Sequence, residues 1–249
     1  MSKIAILYTA FLRDGLMYKT IQSIVQNNTS NCIILIGDQN PTEQKLHELS
    51  SEGVYYYGLP FNCGLSYARN YLVAKAKMLG TDYCLLMADS INLEEPLSKL
   101  NDLIPFFETY PDYGIIGLNL KGRVSWQWDI DLIPNKHFYL SKPKKEYITF
   151  NGIKFQPLDV VKNFFLAKTD ILLDCMWDNE LALLEHEDFF WRLKQMGIKV
   201  AYTEYYSASH IYDRPEEYNN YRKRMYSEFK RKLQQKYGIS GWVTYEKTK

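Results

Sequence analysis

Apolar runs alternate with amphipathic stretches through the first half of the chain. The runs are short and almost unbroken, as buried parallel strands are, and the stretches between them carry apolar residues at helical spacing. Strands wound with crossover helices into a parallel sheet produce this pattern. The predicted strands are KIAILYTA at 3–10, NCIILIGD at 31–38, GVYYYGL at 53–59, DYCLLMAD at 82–89 and YGIIGLNL at 113–120.

Four helices are predicted among these strands, each from a start or stop signal and a stripe of apolar positions. The first follows the cap Asp14, and the second follows the cap Asn40 with Pro41 at its first position. A third runs from Leu65 to Gly80, and a fourth follows Pro96. The first half is therefore predicted to be a wound α/β unit.

The pattern changes in the second half. In RVSWQWDID at 123–131 apolar and polar residues alternate strictly, which predicts a half-exposed strand. Asn151-Gly152 is typical of a type I′ hairpin turn. LDVVKNFFLAKT at 158–169 predicts a buried strand, and two helices follow, one opening near Glu187 and ending at Gly197, the other from Tyr218 to Tyr237. We therefore expect antiparallel additions to the wound sheet.

Composition and charge narrow the class of protein. With 30 basic and 29 acidic residues the net charge is +1, so the global charge does not favour nucleic acid as a partner. The four cysteines occur singly, without a C-x-x-C pair, so neither a zinc site nor a disulfide framework is expected. The apolar run IAILYTAFL is only nine residues long, too short to span a membrane. We expect a cytoplasmic globular protein.

The first strand–helix junction argues against several nucleotide chemistries. The sequence FLRDG at 11–15 lacks the glycine pattern that approaches a dinucleotide pyrophosphate and the Gly-rich Lys-Ser/Thr loop that cradles ATP phosphates. The Gly- and Arg-rich loop of a nucleotidyltransferase is also missing there. A dehydrogenase, a P-loop enzyme and a nucleotidyltransferase are therefore not expected.

Polar residues follow the carboxyl ends of the predicted strands, where an open α/β sheet presents its ligand crevice. In the first half they are Thr9 to Arg13, Asp38, Asn62 to Asn70, and Asp89. The second half adds EHEDFFWRLKQMG at 185–197 and SASHIYD at 207–213.

The order and spacing of these segments resemble the GT-A glycosyltransferases, most closely the family 2 type and the β-1,4-N-acetylgalactosaminyltransferase-like branch. The residues that carry the resemblance, within 3–213, are Asp38, NCGLSYARN at 62–70, LLMADS at 85–90, NFFLAKT at 163–169, WDNEL and EHEDFF within 177–190, and His210.

The resemblance implies a GT-A fold, that is, a Rossmann-like wound mixed sheet with antiparallel additions in the second half. It further implies a single domain over 1–249, with a nucleotide-binding half at 1–120, an acceptor and catalytic half at 121–213 and a basic amphipathic C-terminal helix at 214–249.

The resemblance also implies a nucleotide-diphosphate sugar donor, with UDP as the expected nucleotide. Asp38 would accept hydrogen bonds from a uracil edge or ribose, or it forms an Asx turn. Gly64 would allow close backbone approach, and Arg69 would face the diphosphate, brace Asp89, or lie at a solvated helix position. The residues expected to bind the nucleotide are Thr9, Ala10, Arg13, Asp38, Asn62, Gly64, Arg69, Ala88 and Asp89.

A divalent cation, Mn²⁺ or Mg²⁺, is implied as the Lewis acid that bridges the two phosphates. The stretch Ala88-Asp89-Ser90 stands where the family has two or three aspartates, and Asp89 takes the middle acidic position. His210 stands where many GT-A enzymes place a second ligand. The alternative for Asp89 is a turn or helix-cap residue.

An inverting transfer needs a general base for the acceptor hydroxyl. The family match points to Asp188 as this base, with Glu187 beside it and Glu185 as a competing candidate. The alternative is that these carboxylates cap the helix or lie on a solvated face. Arg192, one turn after Asp188, would pair with it or hold a phosphate.

For the acceptor sugar, aromatic faces that pack against sugar C–H groups are expected. Trp126, Trp128 and Trp177 are the candidate platforms, and Asn163 is expected to face the pocket. The alternative is that each Trp is simply part of the core.

The resemblance implies an inverting hexosyl- or N-acetylhexosaminyl-transferase that acts on a hydroxyl of a glycan or glycolipid, as in polysaccharide biosynthesis. The alternative is a catalytically lapsed GT-A fold that binds glycans or acts as a scaffold, because Ala88 and Ser90 reduce the acidic motif. The segment from Arg214 to Tyr237 has eight basic residues against three Glu. A solvated helix face is favoured there over peripheral contact with anionic lipid or with nucleic acid.

Overall fold

The computed structural model describes residues 2–28, 32–122, 127–211 and 215–245. The elements of the first half are β1 (Ile4–Ala10), α1 (Asp14–Asn27), β2 (Ile33–Asp38), α2 (Glu43–Leu49), β3 (Val54–Gly58), α3 (Leu65–Met78), β4 (Tyr83–Met87), β5 (Ile91–Leu93), a 3₁₀ helix (Leu97–Leu103), α4 (Ile104–Thr109) and β6 (Tyr113–Lys121).

The second half adds strands and three further helices. Its elements are β7 (Asp129–Ile133), β8 (His137–Ser141), β9 (Ile148–Phe150), β10 (Ile153–Leu158), β11 (Phe164–Lys168), α5 (Thr169–Cys175), α6 (Glu185–Gln195), β12 (Lys199–His210), α7 (Glu216–Tyr237) and β13 (Val243–Tyr245). None of the helices in the described residues is long and apolar enough to cross a bilayer.

A large mixed sheet organises the described chain. Its strand order is β3-β2-β1-β4-β11-β6-β12-β10-β9, and β5 pairs with β12. Strands β3, β2, β1 and β4 are parallel, whereas β11 runs antiparallel between β4 and β6. A smaller sheet has the order β13-β8-β7. This is the wound mixed sheet with antiparallel additions that the sequence predicts.

The apolar runs are nearly unbroken because both faces of the central strands are covered. In β1 the side chains of Ile4, Ile6 and Tyr8 enter one hydrophobic core, and those of Ala5 and Leu7 enter the other. Successive side chains of a strand point to opposite faces, so a strand buried on both sides needs apolar residues at every position. The carboxyl ends of these strands then meet at one edge, where the polar residues follow.

Several predicted helix starts are wrong. Helix α1 begins at Asp14, but Arg13 is the capping position and makes no side-chain cap bond. Helix α2 is capped by Thr42, whose hydroxyl accepts from the backbone N of Lys45 at 3.2 Å, and not by Asn40. Helix α6 begins at Glu185, two residues before the predicted opening.

The strand predictions in the second half are confirmed in part. The Asn151-Gly152 turn has positive φ at both residues, 48° and 78°, and joins β9 to β10 as expected. The predicted strand at 158–169 is split, because Leu158 ends β10 and only 164–168 forms β11. Residues 123–126 of the alternating stretch lie outside the described residues, and β7 begins at Asp129.

Candidate active site

A cavity of about 670 Å³ opens at the carboxyl ends of β1 and β4. The segment before β11, the start of α6, the end of β12 and the start of α7 complete its walls. A cavity of this volume suits a small-molecule ligand. The predicted site residues that line it are Thr9, Ala10, Arg13, Asn62, Gly64, Arg69, Ala88, Asp89, Asn163, Glu185, Glu187 and His210.

Asp89 is held by an ion pair inside this cavity. Its Oδ1 contacts Nη2 of Arg13, and both side chains are largely buried. The backbone carbonyl of Asp89 accepts hydrogen bonds from the Tyr8 hydroxyl at 3.2 Å and from the Thr20 hydroxyl at 3.3 Å. Burial raises the pKa of Asp89, and the charge of Arg13 opposes this effect. The contacts fix both the loop after β4 and the position of the carboxylate.

The residues around Asp89 do not fit the divalent-cation site that the sequence predicts. Asp89 already pairs with Arg13, and the Nε2 atom of His210 lies 2.9 Å from the Ser90 hydroxyl. In the described parts of the chain, no group of three or more His, Cys, Asp or Glu side chains could hold a metal ion together. Cation sites of this kind are normally built from several oxygen ligands. We therefore derive no step through a metal.

Arg69 lies in the wall of the cavity and not at a solvated helix position. It is 3% exposed, and its Nη1 donates to Oε1 of Glu185 at 2.9 Å. Its guanidinium also lies over the ring of Trp177, 5.2 Å from the centroid. Trp177 is itself buried and stacks on Phe189 at 4.2 Å, so it has no face open to a sugar. Trp177 supports Arg69 from within the core.

The first turn of α6 presents Glu187 to the cavity. Glu187 is 3% exposed, and burial raises the pKa of its carboxyl to about 7, with a smaller contribution from the charge of Glu185. No salt bridge of Glu187 occurs within the described residues. Leu184, just before the helix, has a left-handed backbone with φ 65°, a conformation that costs a non-glycine residue about 1 kcal/mol. Strain of this kind is concentrated at functional sites.

Asp188 does not line the cavity, although the sequence predicts it as the base. It is fully buried, and its carboxylate accepts from Nε of Arg192 at 2.9 Å, from Nζ of Lys236 at 2.7 Å and from the hydroxyl of Tyr237 at 2.7 Å. Adjacent residues of a helix point about 100° apart, so Glu187 lines the cavity and Asp188 does not. Arg192 therefore pairs with Asp188, which is one of the two roles predicted for it.

His186 lies beside Glu187 as a neutral side chain. Its Nδ1 donates to the amide oxygen of Asn163 at 3.1 Å, because an amide oxygen can only accept. Burial and the positive charge of Arg69 lower the pKa of His186 to about 3. A group with this pKa is a weak base, so Glu187 is the better candidate for taking a proton.

Asp38 lies outside the cavity lining as well. It is fully buried and accepts from the Nζ of Lys45 at 3.0 Å, the hydroxyl of Tyr56 at 2.7 Å and the backbone N of Asn40 at 2.9 Å. The last contact is the Asx turn, the alternative that the sequence left open. The next residue, Gln39, reaches the cavity instead, and its Oε1 accepts from the backbone N of Gly64 at 2.8 Å.

Of the two remaining predicted sugar platforms, only Trp128 lies within the described residues. Trp128 is partly buried, pairs with Val160 through the backbone and contacts Tyr245 edge-to-face at 5.4 Å, but it does not line the cavity. Trp126 lies outside the described residues.

The C-terminal segment contributes a wall that the sequence analysis missed. Helix α7 brings Tyr218, Asn219, Arg222 and Met225 to the cavity, and the segment after it brings Trp242 and Tyr245. The available signal was the helical spacing of Tyr218 and Met225 in the predicted stripe, but spacing alone does not show which surface a helix covers. The amide nitrogen of Asn62 lies 3.5 Å from the Met225 sulfur, so α7 packs directly on the first half of the chain.

Comparisons with known proteins find similarity in structure only. No protein-family model and no curated protein sequence matches the chain. The crystal structure of GalNAc-T7 with UDP, GalNAc and Mn²⁺ superposes with a TM-score of 0.66 at 10% identity, over 85% of this chain and 44% of that chain.

A bacterial protein shows a similar likeness. S. aureus TarS 1–349 matches with a TM-score of 0.55 at 11% identity, over 84% of this chain and 60% of that chain. The same protein in complex with UDP matches with a TM-score of 0.54 at 12% identity, over 83% and 60%. The chain therefore spans less than two thirds of the length of these structures.

At such low identity the similarity establishes the fold, and the predicted branch within the family stays a prediction. The large mixed sheet of this chain, with its wound first half and antiparallel additions, is the α/β fold of the GT-A-type glycosyltransferases.

Proposed function

We propose that the protein is a glycosyltransferase that moves a sugar from a UDP-sugar to a hydroxyl of a glycan or glycoconjugate. The observation that carries the proposal is a cavity at the carboxyl edge of the sheet whose lining includes the carboxylate of Glu187 and three arginines, Arg13, Arg69 and Arg222. Two structures with the same fold were solved with UDP, which supports the choice of nucleotide. The donor sugar is expected to be a hexose or N-acetylhexosamine, as the sequence resemblance implies.

Glu187 is assigned as the general base of an inverting transfer. Of the three predicted carboxylates, Glu185 is paired with Arg69 and Asp188 lies outside the cavity. The acceptor hydroxyl gives its proton to Glu187 while its oxygen attacks the anomeric carbon. The bond from that carbon to the diphosphate breaks, and its electron pair leaves with the diphosphate. A base whose pKa of about 7 is near the working pH suits this step.

The test is release of UDP from a panel of UDP-sugars, with and without glycan acceptors, at pH 8. We expect one UDP-sugar to be turned over by the parent protein, and Glu187→Gln to lower the rate about 10²- to 10⁴-fold while UDP binding persists. Glu180→Gln is the matched control, because Glu180 is exposed and does not line the cavity.

The outcomes separate the two functional hypotheses. Binding of UDP without turnover of any UDP-sugar would favour the lapsed, glycan-binding alternative. Turnover by Glu187→Gln at the parental rate would show that the base is a different residue.

A further inference from the structure

The cavity holds two guanidinium groups joined by one tyrosine. Arg13 comes from the loop after β1 and Arg222 from α7, and both line the cavity. The ring of Tyr218 lies against Arg13, with the guanidinium carbon 4.3 Å from the ring centroid. The hydroxyl of the same Tyr218 accepts from Nη1 of Arg222 at 3.0 Å. Arg13 and Arg222, connected in this way, are called the arginine pair below.

Asp89 belongs electrostatically to the arginine pair. It forms the ion pair with Arg13, and its charge also acts on Arg222. The two guanidinium groups outnumber the Asp89 carboxylate, and the charge of Glu185, which is paired with Arg69, also acts on Arg222. The excess of positive charge in this cluster attracts an anion and disfavours a bound cation. Asp89 holds Arg13 in place, so the N–H donors of its guanidinium are already positioned for that anion.

Guanidinium groups suit a diphosphate. Each is planar, keeps its charge and presents N–H donors in a fork that matches phosphate oxygens. Hydrogen bonds between such ionised partners are about twice as strong as neutral ones. Arginines that already stand where charge develops stabilise a leaving group without reorganisation.

We infer that the arginine pair binds the diphosphate of the donor and stabilises it as it leaves, in place of the divalent cation that the GT-A resemblance implies. The inference rests on the proposed function. As the bond from the anomeric carbon to the diphosphate oxygen breaks, the electron pair passes to that oxygen, and the new negative charge lies against Arg13 and Arg222. The acceptor proton goes to Glu187, so the charges balance.

The experiment is calorimetric titration of UDP into the full chain, in EDTA and again with Mn²⁺, for the parent, Arg222→Gln and Lys223→Gln. Arg222 is exposed at the cavity, so its substitution leaves the core intact. Lys223→Gln removes the same charge from the next position of the same helix, which does not line the cavity. UMP, which has one phosphate fewer, is titrated as a second ligand.

We expect the same affinity for UDP in EDTA and in Mn²⁺. Arg222→Gln should weaken UDP binding about 10- to 100-fold, the loss expected for hydrogen bonds to a charged group, and should weaken UMP binding less. Lys223→Gln should bind UDP as the parent does. Arg13→Gln, checked for folding by circular dichroism, should weaken UDP binding in the same way.

Other results would overturn the inference. Binding of UDP that requires Mn²⁺ and is unchanged in Arg222→Gln would refute the role of the arginine pair and leave the proposed function standing. Absence of binding for UDP under both conditions would refute the proposed function and the inference together.

Discussion

Three carboxylates within four residues of α6 have three different environments. Glu185 pairs with buried Arg69, Glu187 faces the cavity, and Asp188 anchors the C-terminal helix. Their separation follows from the rotation of about 100° between successive helical residues. A shift of one residue in a sequence match therefore exchanges a carboxylate that lines the cavity for one that anchors α7.

The environment of Glu187 predicts a pH-dependent stability. Its pKa is raised from an ordinary value of 4.5 to about 7, so the folded protein keeps a proton that the unfolded chain releases between these values. The contribution of the protonated Glu187 carboxyl to the free energy of unfolding is fully present below pH 4.5 and is lost as pH rises through 7. Glu187→Gln cannot lose a proton, so its melting temperature relative to the parent should rise between pH 5 and pH 8.

Thermal melts of both proteins across this range measure the effect. The Glu180→Gln protein is the control, and the difference between its melting temperature and that of the parent should not change with pH. If the melting temperatures of Glu187→Gln and the parent differ by the same amount at every pH, the raised pKa of Glu187 is contradicted.

Gly64 is predicted to tolerate no side chain. Its φ is +87°, and an added Cβ would lie 2.5 Å from the Cβ of Ala182, across the cavity wall. Gly80 has a similar φ of +70° but open space around it. We expect Gly80→Ala to lower the free energy of unfolding by about 1 kcal/mol, because alanine is strained in a left-handed backbone. Gly64→Ala should lower it by about 1–3 kcal/mol more, because the added methyl group also overpacks against Ala182. Urea unfolding of both variants tests the difference, and equal costs would contradict the close approach.

At the scale of elements, α7 is fixed to α6 through its last turn. Lys236 and Tyr237 both bond the carboxylate of Asp188, and Phe229 and Leu233 are buried in the core beneath. The other end of the helix then carries Tyr218 and Arg222 to the cavity. The predicted solvated face exists at exposed Lys223, but the helix is also part of the site wall.

This arrangement predicts that Asp188 is a structural residue. Asp188→Asn should lower the free energy of unfolding by about 3 kcal/mol, because the fully buried carboxylate loses the charge that Arg192 and Lys236 contact. Lys232→Gln breaks an exposed ion pair with Glu228 on the same helix and should change the free energy of unfolding by less than about 1 kcal/mol. Urea unfolding measures both. If Asp188→Asn is as stable as the parent but inactive, Asp188 acts in catalysis after all.

The elements were predictable to different degrees for physical reasons. Strands such as β1 and β4 stand out because burial on both faces demands apolar residues at every position. Helix starts were predicted less accurately, because neighbouring polar residues compete for the capping position. In α2, Thr42 rather than Asn40 caps the helix and accepts from the backbone N of Lys45. The helix after Pro96 is a 3₁₀ segment followed by a short α-helix, which apolar spacing alone does not distinguish.

At the scale of the whole molecule, the site depends on how distant segments meet. Residues such as Thr9 and Asp89 were found from sequence because the carboxyl ends of parallel strands share an edge. Arg222 was not predicted to line the cavity, because only tertiary packing brings α7 over the carboxyl edge of the sheet. Asp38 and Trp177 lie outside the cavity lining for a related reason, since polar and aromatic residues near a cavity also build its support.

The sheet also predicts that the two halves of the chain unfold together. Strand β4 from the first half pairs with β11 from the second, and β12 from the second pairs with β6 from the first. All five tryptophans lie after residue 121, so their fluorescence reports mainly on the second half, although Trp177 also lies against Arg69 of the first half. We therefore expect tryptophan fluorescence and far-ultraviolet circular dichroism to give one coincident transition in urea.

Matched core substitutions make this test decisive. Leu7 in β1 and Leu166 in β11 are both fully buried, and each change to Ala should cost about 2–5 kcal/mol. In a single cooperative unit, Leu7→Ala shifts the fluorescence midpoint as Leu166→Ala does, although every tryptophan lies in the other half. A shift caused only by Leu166→Ala would show that the two halves are separate domains. The cavity between them would then depend on how the domains dock and not on a continuous sheet.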